Sequence, residues 1–293
     1  MKRTILAAQV ACVWLAIHSP PALAQASALM ANPQISVAYI QPRFNSLAAN
    51  SNQYFKFTAI YEWLRVRQPL HAIQKFLAPL RLPQQLRLQV DQCGAERRPY
   101  KHGAPVTICY ELIDKIEIVA ANVKDNEPLK QTIIVGTFTQ AVLHELAYAV
   151  FDILQVPVCG REEDAADRLA AFILLQFGED VAHTTMLGTV EFFVYSGKTW
   201  TGSAFADAGS PEAQRFYNFL CIAYGGDHLS FGGWAESHDG HDPLLPASRA
   251  DQCQREYEQV RNAFNLRIMP YVDPDLLLRV KATQWFLPGE LGK

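Results

Sequence analysis

Apolar residues recur at helical spacing along most of this chain and alternate only near its front. Residues 35–40 (ISVAYI) read as a strand ended by Pro42. Residues 85–90 (QLRLQV) place Leu86, Leu88 and Val90 on one face of a half-buried strand, and 104–112 (APVTICYEL) read as a strand running into a helix. Helical spacing covers 54–67, 69–80, 161–178, about 181–196, 211–226 and 248–264. The longest stretch, 131–154, stops before Pro157. Ser210 is placed to cap the helix that begins at Pro211. Polar or Gly-rich segments at 121–131, 196–210 and 227–248 read as connections. The pattern predicts a mostly helical α+β domain with a small β portion near the N-terminus.

The first residues change this picture. Lys2 and Arg3 precede an apolar run from Ile5 to Ile17, then Pro20, Pro21 and Ala22-Leu23-Ala24. This is the pattern of a secretory signal peptide over residues 1–24, cut before Gln25, and it leaves 25–293 as one domain. The run is too short for a spanning helix, and no later charge-free apolar stretch reaches about 18 residues. A periplasmic or secreted protein with no transmembrane segment after cleavage is expected. Without Lys2 and Arg3, the 26 basic residues drop by two against 29 acidic ones, a net charge of −5. With no basic cluster, nucleic acid is not an expected partner.

Outside the signal peptide stand Cys93, Cys109, Cys159, Cys221 and Cys253. An oxidising compartment permits disulfides. Cys93 and Cys109 bracket a segment that reads as a hairpin-like turn. Cys221 lies in one predicted helix and Cys253 opens another. We pair Cys93 with Cys109 and Cys221 with Cys253, although spacing alone leaves connectivity open. Cys159 is then free and is read as a buried thiol.

The chemistry concentrates in VLHELAYAVFD (142–152) and GREEDAADRLA (160–170). In the zinc signature H-E-x-x-H, two histidines one helical turn apart hold one ion, and the glutamate takes a proton from metal-bound water. His144 and Glu145 fit, but Tyr148 stands at the second histidine. Glu163 and Asp167 are four apart and share a helix face, which also suits a carboxylate ligand and a carboxylate that orients a histidine. Asp152 falls on the face of His144 and Tyr148.

Together with CG…ICYEL (93–112), QRFYNFLCIAYG (214–225) and Cys253 with EYEQ (256–259), these stretches resemble the putative zinc metallopeptidases of bacteria, secreted zincin-like proteins. The resemblance implies a zincin-like fold, peptide hydrolysis, and zinc held by His144, residue 148 and Glu163. It implies Glu145 as general base and supports both disulfides. The chain departs from the pattern twice. It reads H-E-L-A-Y where relatives read H-E-L-G-H, and Gly209 stands where relatives often have a histidine.

A phenol titrates near pKa 10 and its oxygen lies beyond the imidazole nitrogen position, so Tyr148 is a poor replacement ligand. We expect it to cover the vacated position and hydrogen-bond Glu163 or Asp167. His183, His228, His238 and His241 are alternative ligands by residue type, but HDGHD (238–242) reads as a solvated loop. Glu162 and Asp164 read as solvated charge favoured by a helix start. The expectation is a peptidase with impaired or lost hydrolysis, using zinc if the site functions. The alternative is an inactive zincin fold that binds a peptide or protein.

Overall fold

The computed structural model describes residues 34–43, 51–94, 100–196, 212–236 and 242–281. In order these form β1 (Ile35–Tyr39), α1 (Ser51–Arg67), α2 (Pro69–Phe76), β2 (Leu86–Asp91), β3 (Val106–Cys109), α3 (Tyr110–Ala120), α4 (Glu127–Ile153), α5 (Glu162–Leu174), α6 (Glu179–Tyr195), α7 (Glu212–Gly226), α8 (His228–Phe231), α9 (Ala247–Arg267) and α10 (Pro274–Lys281). This is a mostly helical α+β architecture. The expected signal peptide, Gly209, Ser210, Pro211, His238 and His241 lie outside the described residues.

The strands form one sheet in the order β1-β2-β3, and both pairings are parallel. Cys93 and Cys109 do form a disulfide, but they do not close a hairpin. Parallel strands must be joined by a connection that returns along the sheet. The bond therefore forms where both strands end, beside the Asp91–Cys109 register pair. Arg87 is exposed while Leu86, Leu88 and Val90 are buried, so one face of β2 meets the core.

α4 is the axis of the molecule. It packs against β3, α3, α5 and α6. It begins at Glu127 rather than 131, because Asn126 accepts from the Leu129 N–H and Pro128 sits in the first turn, where no intrahelical donor is required. By length and hydropathy this helix could cross a membrane, yet 89% of its most apolar window is buried inside the protein. Its apolar surface is consumed by the core. α7 and α9 pack together on the far side of α5 and are joined by Cys221–Cys253.

Two short helices arise in segments without a clear apolar period. Asp227 caps α8 by accepting from Leu229 and Ser230 N–H, and Asp273 does the same for α10 with Asp275 and Leu276. Cys159 is exposed rather than buried, because the connection after α4 carries it over the surface.

α4 and α6 approach most closely at Gly136 and Gly188. A Cβ on Gly188 would stand 1.9 Å from the Thr132 carbonyl oxygen, and one on Gly136 would stand 2.5 Å from that of Thr185. Helix propensity favours alanine over glycine by about 1 kcal/mol, but overpacking a core costs about 1–3 kcal/mol. Here the obstacle is backbone, which cannot rotate away. Gly188→Ala is therefore expected to destabilise the fold by about 2 kcal/mol, read as a lower midpoint in denaturant unfolding.

Candidate metal centre

α4 carries His144, Glu145 and Tyr148 along its buried middle. α5 runs back along it, so that Asp167 meets His144 and Glu163 meets Tyr148. The acidic first turn of α5 suits the positive end of the helix dipole. Glu162 is exposed, as expected, but Asp164 is not simply solvated. Its carboxylate accepts from the Nδ2 of fully buried Asn218 at 3.0 Å, tying α5 to α7.

Asp167 is the hub. His144 Nδ1 lies 2.7 Å from its Oδ1, and Gln140 Nε2 donates to the same oxygen at 3.2 Å. Arg215, from α7, donates through Nε at 2.6 Å and Nη2 at 2.9 Å. This fork-on-carboxylate geometry is the strong form of the pair. Burial pushes the Asp167 carboxyl up, but the Arg215 guanidinium and then His144 overcome it and hold it far below the usual carboxylate range. Burial also works against charge on Arg215, and Asp167 and Glu163 more than offset it.

Glu163 has both oxygens engaged. Oε1 lies 3.0 Å from Arg215 Nη1 and 3.6 Å from His144 Nε2. Oε2 accepts from the Tyr148 hydroxyl at 2.7 Å. The His144 and Tyr148 rings meet edge to face at 5.2 Å. His144 places Nδ1 beside Asp167 and Nε2 toward Glu163, so a carboxylate stands behind the ring as it does behind a metal-binding histidine.

A zinc ion held for catalysis needs three protein ligands. His144 Nε2 and Glu163 Oε1, 3.6 Å apart, could supply two donors. The third position holds a phenol that spends its proton on Glu163, and that same carboxylate also faces a guanidinium. These residues do not fit a tight three-ligand site. Among the described residues, the one grouping of three His, Cys, Asp or Glu donors close enough for an ion is Cys93, Cys109 and Glu111. Its sulfurs are already bonded to each other. His183 stacks on Phe231 and His228 against Tyr224, and neither lines the cleft beside His144.

That cleft has a volume of about 570 Å³. His144, Glu145, Gln140 and Arg215 form its floor. Thr107, Ile108 and Cys109 of β3 form one wall, and Phe192 and Phe193 of α6 another. Glu145 is buried at this floor, 8% exposed. Asp152 lies on the same helix but serves another purpose. It accepts from Tyr100 Oη at 3.0 Å and lies 2.7 Å from His102 Nδ1, which fastens the segment after Cys93 to the end of α4.

No motif spacing in the sequence points to Arg215 or Gln140. The available signal was electrostatic: two carboxylates turned into a core beside Glu145 require a buried cation, and QRFYN contains one.

Residues 49–266 match the sequence profile of a family described as "Putative metallopeptidase". Comparison with curated proteins and with solved structures finds no match.

Asp167→Asn removes one partner of a buried pair, so a loss of about 3–5 kcal/mol is expected at neutral pH. The lower end is expected because Glu163 still faces Arg215. Because the native Asp167 pKa is depressed, its contribution is complete above the unfolded-state pKa of about 3.9. It falls as pH drops below that value toward the native one. The stability difference between the two proteins, from urea unfolding, should be constant above pH 5 and shrink in stronger acid.

Proposed function

The chain belongs to the putative metallopeptidase family, and on that premise we propose that it is an exported member in which metal-dependent peptide hydrolysis is impaired or lost. The observation that carries this reading is the 2.7 Å hydrogen bond from Tyr148 to Glu163. It joins the residue at the second-histidine position to the expected carboxylate ligand. A full structural zinc site is worth about 10–16 kcal/mol, and loss of one ligand removes several of these. His144 and Glu163 alone hold an ion weakly. Glu145 keeps the position of a general base, a role that depends on an ion held tightly enough to activate a water. Export rests on the N-terminal pattern of Lys2, Arg3 and the apolar run.

A second reading is favoured by the cleft itself. Its floor combines buried polar groups with apolar walls, and it remains about 570 Å³ in volume. That is within the size range of ligand pockets. In this reading the protein binds a peptide or a protein segment there without cleaving it.

Elemental analysis of the purified mature protein should find zinc well below one ion per chain. Tyr148→His should raise it to near one. Adding Glu145→Gln to that variant should keep the zinc and remove any hydrolysis of a casein substrate. Stoichiometric zinc in the natural protein would overturn the proposal.

A further inference from the structure

A second cavity, of about 210 Å³, lies between α1, α2, α3 and α4 and shares no lining residue with the cleft. Ile113, Ile116, Val135 and Phe138 give it apolar walls, and each of them is buried. Its polar groups are biased toward accepting. The Thr139 hydroxyl is spent on the Val135 carbonyl at 2.8 Å. The Gln131 amide N–H goes to Glu127 at 3.2 Å, which leaves its carbonyl oxygen. The remaining polar side chains are Glu117 and Trp63.

Glu117 is half-buried, and its carboxylate makes no hydrogen bond or ion pair among the described residues. The nearby base, Lys56, is joined directly to Asp114. Burial pushes the Glu117 carboxyl up, with Lys56 opposing and Asp114 adding to the rise. A carboxylate on an apolar wall without a direct partner is costly, and a cation placed beside it relieves that cost. Trp63 is 37% exposed and supplies the aromatic face to which cations bind best.

We propose that this cavity binds a small primary ammonium carrying one apolar arm, with Glu117 as its counter-ion. The ammonium brings donors to the Glu117 carboxylate and to the Gln131 carbonyl oxygen, and the arm fills the space among the isoleucines and Phe138. The volume lies below the range of about 300–1,000 Å³ typical of drug-sized ligands. It therefore suits a free small amine rather than a segment of another protein. An anionic ligand is refused by Glu117, which stands on the cavity wall.

The test is calorimetric titration of the mature chain with 2-phenylethylammonium, its neutral isostere 2-phenylethanol and the anion 3-phenylpropanoate. The amine should bind at least tenfold more tightly than the alcohol, and the anion should not bind. Glu117→Gln should weaken the amine at least tenfold and leave the alcohol unchanged. Ile134→Phe, which narrows the cavity from α4, should weaken both and serves if Glu117→Gln does not fold. Trp63→Phe should remove the fluorescence change that accompanies binding and so locate the site. Equal affinity for amine and alcohol, full affinity in Glu117→Gln, or no binding of the amine would each overturn the proposal.

Discussion

The pairing of Asp167 with Arg215 is the contact on which the centre of this molecule depends. Asp167 is almost wholly excluded from water, and an unpaired charge there would cost more than typical single contacts return. Arg215 supplies charge and two aligned donors at once. The carboxylate can then accept from Gln140 and hold the His144 ring as well. Three helices therefore converge on one side chain. α4 brings His144, α5 brings the acid and α7 brings the base.

Tyr148 fits this arrangement because it answers the same electrostatic demand with a weaker group. Glu163 faces the guanidinium on one oxygen and the phenol on the other. Where two imidazoles and a carboxylate would converge on an ion, the charge here is met by a guanidinium and a donated proton. The charges of the cluster are balanced across α4, α5 and α7.

The long apolar stretches were legible in the sequence because burial on one face imposes a period on the residues themselves. α4, α5, α7 and the three strands all announce themselves this way. Both disulfides agreed with the structure, whereas the hairpin between Cys93 and Cys109 did not. Bond connectivity says nothing about strand direction, and the register with β2 is set by distant residues. His144 and Tyr148 share one face of α4, and Glu163 and Asp167 one face of α5, as helical spacing predicts, and the packing of the two helices brings the faces together. Arg215 escaped notice since no spacing links it to Asp167 across the intervening chain. α8 and α10 escaped because each is held by an aspartate cap and a few contacts rather than by a long apolar period.

The glycine contact between α4 and α6 has a consequence for what the cleft admits. Gln140 and His144 lie one and two turns beyond Gly136 on α4, and Thr189, Phe192 and Phe193 follow Gly188 on α6. Two backbones touching at that crossing act as a fixed gauge for the opening between floor and aromatic wall. The girth of an admissible occupant is thus set by the absence of two methyl groups outside the cleft. An added side-chain carbon there would act as a wedge and widen the slot without altering any residue that lines it.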